Sequence, residues 1–211
     1  MLDFLQQLFQ RRGAQPAGWQ PAADPSPAQA RQHAAWVAGR AYRNWLGPFY
    51  QAYHAQKGGL GNRRGLQVKV LREDNLTGAL FFFDPAIGPA NFEHLYWWLA
   101  SRLPGQGYHR ACHDTRRREQ QGQVEHTVKQ LFKPNPTDCA ESGRCNQRYG
   151  LLHLDLVYLN RQPLFIRLSS NPVREGACHF TLPKSFDELL RQLFDEPAAE
   201  AAEQALAKTF Q

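Results

Sequence analysis

Residues 151–170, LLHLDLVYLNRQPLFIRLSS, are the most informative stretch of the chain, because apolar and other side chains alternate on both sides of a short polar turn. Alternation with a period of two places successive side chains on opposite faces of a β-strand. One face of the first segment is apolar: Leu152, Leu154, Leu156 and Tyr158. The other face is mixed: His153, Asp155, Val157 and Leu159. We therefore predict a hairpin with strands over residues 150–159 and 163–170.

The length of the turn decides which face Arg167 takes. A three-residue turn over residues 160–162 sets Asp155 opposite Arg167 and keeps the guanidinium away from the leucines. A turn of two or four residues would place Arg167 on the leucine face, so burial favours the first register. We predict an Asp155–Arg167 pair flanked by His153 and Ser169. Such a pair contributes about 0.2–1 kcal/mol, enough for a structural role, and it could equally form the polar floor of a pocket.

The flanking sequence adds two more predicted hairpins. Alternating or apolar runs predict strands over residues 66–72 and 76–84, and over 107–118 and 122–132. Residues 179–183 are a candidate edge strand. Consecutive hairpins require antiparallel pairing, so we predict an α+β fold with an antiparallel sheet of about six strands.

The predicted order is helix, two strands, helix, four strands, helix, and the helices pack on one face of the sheet. A long helix follows Asp24 or Ser26 as cap, runs to about residue 56 and kinks at Gly47-Pro48. Asn91 is expected to cap a helix over residues 92–102. Ser185 is expected to cap a last amphipathic helix, FDELLRQLF.

We predict one folded domain over residues 28–196. Before it come an amphipathic helix over residues 1–12 and a Pro/Ala-rich linker over 13–27, and an Ala/Glu-rich tail follows over 197–211. The first helix carries an apolar stripe: Leu2, Leu5, Leu8 and Phe9. A helix this short is marginal alone, so we expect the stripe to pack on its own domain or in a homodimer, and not on a membrane.

The formal net charge of +6 raises the question of an acidic partner. The second hairpin and its ends carry a basic group: Arg110, Arg116, Arg117, Arg118 and Lys133. This group could contact the phosphates of a nucleic acid. However, consecutive strand residues face opposite sides, and the hairpin has few aromatic residues for stacking on bases. Nucleic-acid binding is therefore an alternative that the pattern does not favour.

Neither a metal site nor a disulfide is predicted. The chain has four cysteines, Cys112, Cys139, Cys145 and Cys178, without the close pairing that structural zinc prefers. On a regular strand His109 and His113 would share one face and Cys112 would lie on the other, so they could converge only at a bulge. The amino terminus has no secretory pattern, so we expect a reducing, cytoplasmic location.

Motifs that would identify an enzyme are missing from the sequence. The GGLGNRR segment at residues 58–64 lacks the ending of a phosphate loop, and no nucleophile stands in a catalytic signature. No cofactor is predicted. A hydrolase or transferase using His126 or His153 as base remains an alternative hypothesis.

The leading hypothesis is a non-enzymatic cytosolic domain that binds a small ligand or a protein partner in the concavity of its sheet. Its candidate ligand-binding residues are His153, Asp155, Arg167, Lys129 and His126.

Overall fold

The computed structural model describes Trp19 and residues 21–57, 68–73, 76–134, 151–170 and 186–194. Several predictions therefore lie outside the described residues. They are the helix over residues 1–12, the edge strand over 179–183, the tail over 197–211, and any pairing or metal binding by Cys139, Cys145 and Cys178.

The described residues form four α-helices, one 3₁₀ turn and six strands. The helices are α1 (Pro27–Ala38), α2 (Arg43–Lys57), α3 (Pro89–Arg102) and α4 (Phe186–Phe194), with the 3₁₀ turn at Pro104–Gln106. The strands are β1 (Val68–Glu73), β2 (Leu76–Phe82), β3 (Tyr108–Gln120), β4 (Gln123–Pro134), β5 (Leu152–Leu159) and β6 (Gln162–Ser170). In chain order, α1 and α2 precede β1, α3 lies between β2 and β3, and α4 follows β6.

All six strands belong to one antiparallel sheet with the order β1-β2-β6-β5-β4-β3. Each of the three predicted hairpins is present, and β2 pairs with β6 to join the first hairpin to the third. The predicted α+β class with a six-stranded antiparallel sheet is confirmed. The leucine-bearing strands β5 and β6 lie at the centre of the sheet, which explains why seven of the eight residues of β5 are buried.

The sheet has an inner face that packs on helices and an opposite, outer face. The inner face carries Leu152, Leu154 and Leu156 in the hydrophobic core. Helices α2 and α4 meet this face around the Phe81 ring, which makes edge-to-face contacts with Phe49 and with Phe194. The helices pack on the face that the alternation of β5 predicts.

The turn of the third hairpin differs from the prediction, although its register does not. The turn has two residues, Asn160 and Arg161, both with positive φ (47° and 67°), so the three-residue turn is wrong. Positive φ at both central positions is typical of the type I′ turn, which matches strand twist. Asp155 nevertheless pairs with Arg167 across the strands, as predicted.

A β-bulge reconciles the shorter turn with the predicted register. Tyr158 pairs with Pro163 whereas Val157 pairs with Phe165, so Leu164 is an extra residue on β6. The bulge compensates for the residue missing from the turn. Its Leu164 carbonyl accepts a hydrogen bond of 2.9 Å from the backbone N–H of Phe83, which ties the bulge to the end of β2.

The helical segment breaks earlier than predicted. The chain leaves the helix at Gly39-Arg40, where Arg40 has a φ of 53°, and Pro48 lies inside α2. After the break the Tyr42 ring stacks on Trp98, with the ring centroids 5.1 Å apart, and α2 packs against β1. The helix does not break at Gly47-Pro48, because α2 continues through Pro48.

The helix caps agree with the prediction at one helix and differ at another. Ser26 caps α1 and forms a reciprocal capping box with Gln29. Helix α3 begins after Gly88, so Asn91 does not cap it. Instead the Asn91 side chain accepts a 2.9 Å hydrogen bond from Trp36 Nε1 and donates to the Ile87 carbonyl. Asn91 thereby connects α1 to α3.

Candidate functional site

A row of charged residues crosses the outer face of the central strands. Arg167 on β6, Asp155 on β5 and Lys129 on β4 are direct cross-strand neighbours. Arg167 Nε donates to Asp155 Oδ2 at 2.7 Å, and its Nη2 contacts the same oxygen. The Asp155 side chain is 0% exposed and that of Arg167 is 36% exposed. Oδ1 of Asp155 has no hydrogen-bond partner among the described residues.

His153 belongs to the same face as this row. It lies two residues before Asp155 on β5 and pairs with Ser169 on β6. Burial lowers the pKa of His153 and outweighs the attraction of the nearby Asp155 carboxylate, while Lys129 and Arg167 lower the pKa further. The imidazole is therefore neutral at pH 7. Of the five predicted ligand-binding residues, these four lie together.

His126 is separated from the other four. It pairs with Tyr158, whose side chain belongs to the inner face, and it is buried there. The Trp19 ring packs edge-on against His126, with the ring centroids 5.2 Å apart. Burial lowers the pKa of His126, and the positive charges of Arg117 and Arg161 lower it further.

The arginines of the second hairpin are divided between the two faces. Arg116 and Arg118 lie on the outer face with their partners on β4, and Arg117 lies on the inner face opposite His126. Arg117 Nη2 contacts Glu119 Oε2 at 2.7 Å. Arg116 Nε lies 3.7 Å from Asp114. Lys133, opposite His109, is exposed on β4. The five basic residues do not form one continuous strip.

A second bulge changes the arrangement of the candidate zinc ligands. The register of β3 shifts between Arg110 and Cys112, so Cys112 pairs with Leu131 on the outer face and His113 pairs with Gln130 on the inner face. His109 is therefore on the same face as Cys112. The expectation that His109 and His113 share a face is wrong, because the extra residue reverses the alternation beyond it.

A cavity lies on the inner face, and none of the predicted ligand-binding residues lines it. This helix-side cavity, of about 260 Å³, lies between the segment that contains Trp19 and residues 21–29, helix α3 and the sheet. Its floor is formed by Val128, Leu156 and Tyr158, and α3 contributes Glu93 and Trp97. Glu93 and Trp97 are four residues apart, so both project from the same side of α3. Trp19 and Asp24 are among the lining residues that precede α1 in the chain.

A partly buried hydrogen bond connects the floor of the cavity to its wall. Tyr158 Oη donates to Glu93 Oε1 at 2.9 Å. Burial raises the pKa of Glu93 and outweighs the opposing effect of the tyrosine hydrogen bond. The pKa of Tyr158 is also raised, first by burial and then by the Glu93 charge. The phenol is therefore a donor at neutral pH.

Side-chain contacts of Asp24 and Trp19 hold the rim of the cavity in place. Asp24 Oδ1 lies 3.4 Å from Arg110 Nη1, and Asp24 Oδ2 lies 3.1 Å from His113 Nε2. Trp19 packs edge-to-face on Tyr158 at 5.2 Å. These contacts fix the segment predicted as a linker against β3 and the floor. Two local signals point to this site: an aromatic residue in a Pro-rich stretch, and the Glu93-x₃-Trp97 spacing.

Two histidines meet between α1 and α3, and neither lines the cavity. His33 Nδ1 and His94 Nδ1 are 3.4 Å apart. The pKa of His33 is lowered to about 4 by burial and by the neighbouring His94, and burial also lowers the pKa of His94. Within the part of the chain that the structure describes, there is no cluster of three or more His, Cys, Asp or Glu side chains that could hold a metal ion.

Comparison with protein-family models, curated proteins and solved structures finds no match to this chain. Among the described helices, none combines the length and apolar character needed to cross a membrane.

Proposed function

We propose that this protein is a non-enzymatic domain that binds a small ligand in the helix-side cavity. The observation that carries the proposal is a cavity of about 260 Å³ that combines two carboxylates, Asp24 and Glu93, with the side chains of Trp19, Trp97 and Tyr158. Ligand pockets are concave, and a small number of well-placed polar groups fix the ligand in them. The volume is just below the roughly 300–1,000 Å³ of pockets for drug-sized molecules, so the ligand is smaller than these.

The burial of Asp155 within the charged row on the outer face favours a structural role for these residues over ligand binding. Asp155 has no exposed surface, so a ligand would have to displace Arg167 to reach it. The ion pair between them orders the two central strands. The division of the arginines between two faces, together with their ion pairs, weighs against the nucleic-acid alternative. His126 packs on Trp19, an arrangement that favours a structural role over that of a base.

A substitution at the rim tests whether the cavity is the binding site. Ala22 is exposed and lines the cavity, so Ala22→Phe places a ring in it without disturbing the core. Ala38→Phe is the matched control, because Ala38 is exposed at the end of α1 and does not line the cavity. We expect compounds from a fragment library of cations, neutral molecules and anions to raise the melting temperature of the wild type and of Ala38→Phe. They should not stabilise Ala22→Phe. The proposal fails if no fragment stabilises the wild type, or if all binders stabilise Ala22→Phe equally.

A further inference from the structure

We infer that the ligand of the helix-side cavity is a small organic cation, with an ammonium or methylated ammonium group on a short apolar body. This inference rests on the proposed function and names its ligand class.

Aromatic rings from three parts of the chain surround the cavity. Trp19 comes from the segment before α1, Trp97 from α3 and Tyr158 from β5. The planes of the Trp19 and Tyr158 rings meet at 72°, so the two rings are in edge-to-face contact and do not form a flat stack. Aromatic faces attract cations through their quadrupoles, and several rings around one space are the usual means of recognising quaternary ammonium groups. Trp19 already has the guanidinium of Arg161, which does not line the cavity, 5.9 Å from its ring centroid.

The charged groups that line the cavity also favour a cation. Two of the side chains that line it are carboxylates, Asp24 and Glu93, and none of the described lining residues is Lys or Arg. This negative site occurs in a protein whose formal net charge is +6. The charge of Asp24 is already offset at the rim by Arg110. Glu93 receives only a neutral hydroxyl from Tyr158 among the hydrogen bonds described, so its charge faces the cavity without a compensating cation.

Other ligand classes satisfy these groups less well. An anion would be repelled by Glu93. A neutral apolar molecule would exclude water from the carboxylate and leave its charge unpaired, which is costly. A metal ion would need more oxygen ligands than these two carboxylates provide. An organic cation pairs with Glu93 and also contacts the rings.

Three probes of similar shape test the charge preference by calorimetry on the full chain. Choline carries a trimethylammonium group, 3,3-dimethylbutan-1-ol is its neutral isostere, and 3,3-dimethylbutanoate is an anion. We expect choline to bind about tenfold or more tightly than the alcohol, and the anion not to bind. Trp97→Leu should weaken choline binding by about two- to thirtyfold, the range expected for loss of one ring.

Glu93→Gln isolates the charge, since the amide oxygen can still accept the Tyr158 hydrogen bond. In this variant the preference for choline over the alcohol should fall by at least about threefold, because the charge-assisted contact is lost while the rings remain. Glu125→Gln is the matched control. It removes the same charge from the outer face and should retain the preference for choline. In the wild type, choline affinity should rise with pH as Glu93 ionises, and in Glu93→Gln it should not.

The possible failures can be told apart. If the alcohol binds the wild type as tightly as choline, and Ala22→Phe blocks both, the cavity is a binding site but the charge inference is overturned. If Glu93→Gln retains the full preference for choline, Glu93 is not the counter-charge and the inference also fails. If none of the probes binds and the fragment library yields no ligand, the proposed function fails as well.

Discussion

Replacing Arg167 by methionine should destabilise the fold far more than replacing its partner Asp155 by asparagine. Arg167→Met leaves a carboxylate that is 0% exposed and whose Oδ1 is already unpartnered among the described residues. A buried charge without a partner is costly, whereas methionine fills most of the space of the arginine stem. Asp155→Asn leaves a guanidinium whose side chain is 36% exposed and therefore reaches water. Because the Asp155 side chain is buried and that of Arg167 is partly exposed, Arg167→Met should destabilise the fold more than Asp155→Asn.

The expected losses in unfolding free energy follow from the same difference in exposure. Removing one partner of a fully buried ion pair costs roughly 3–5 kcal/mol. Because Arg167 is partly exposed and Lys129 lies beside Asp155, we expect the lower end for Arg167→Met, about 3 kcal/mol. For Asp155→Asn we expect about 1 kcal/mol, since the amide oxygen can still accept a hydrogen bond. The double variant should be more stable than Arg167→Met, because it removes the unpaired carboxylate.

Urea unfolding followed by circular dichroism measures these differences as shifts of the midpoint at constant slope. Equal costs for the two single variants would refute the argument from exposure. So would a double variant that is less stable than Arg167→Met. If Arg167→Met changes stability by less than about 0.5 kcal/mol, as an ordinary surface substitution does, the carboxylate is not held by this pair.

Three further predictions concern other parts of the fold. Gly78→Ala should cost about 1–3 kcal/mol in urea unfolding, because its Cβ would lie 2.7 Å from the Leu168 carbonyl, whereas Gly105→Ala, with open space around its Cβ, should change stability by less than about 0.5 kcal/mol. His33→Gln should flatten the fall in melting temperature between pH 6.5 and about 4, because a histidine with a lowered pKa protonates more readily when unfolded, and stability is lost as pH falls. If the melting temperature of His33→Gln still falls steeply over this pH range, a group other than His33 causes the fall. Glu93→Gln should raise stability at pH 7 but not at pH 4, because a carboxyl with a raised pKa contributes stability below its unfolded pKa of 4.5 and loses it as pH rises through the folded value. An equal change at both pH values would contradict this reasoning.

The central hairpin shows how much of the fold the sequence predicts. The leucines of β5 lie on one face of the sheet, so Arg167 is expected on the opposite face. Arg167 does lie there, paired with Asp155, although the turn is shorter than predicted. The chain compensates for the shorter turn with a bulge at Leu164, because exposing the leucine face would cost more than one unpaired residue. One local signal for the bulge is Pro163, which directly precedes Leu164, because proline inside a sheet is found essentially only on edge strands or at bulges.

The sequence predicted a site in the concavity of the sheet, but the residues that line the cavity could not be predicted. It depends on the approach of Trp19 to Tyr158, which are far apart in the sequence and belong to a Pro-rich segment and a central strand. Hydrophobic periodicity reports which face of an element is buried and not which distant segment covers it. The charged row was predictable because its members are strand neighbours. The cavity required the tertiary structure.

The indole N–H resonances of the five tryptophans provide the most direct test of the binding site. Two of them, Trp19 and Trp97, line the cavity, whereas Trp36 and Trp98 are buried elsewhere in the core. Titration of ¹⁵N-labelled protein with choline should shift the resonances of Trp19 and Trp97 and leave those of Trp36 and Trp98 in place. If the Trp19 and Trp97 resonances do not move while choline binds, the ligand lies elsewhere and the account is wrong.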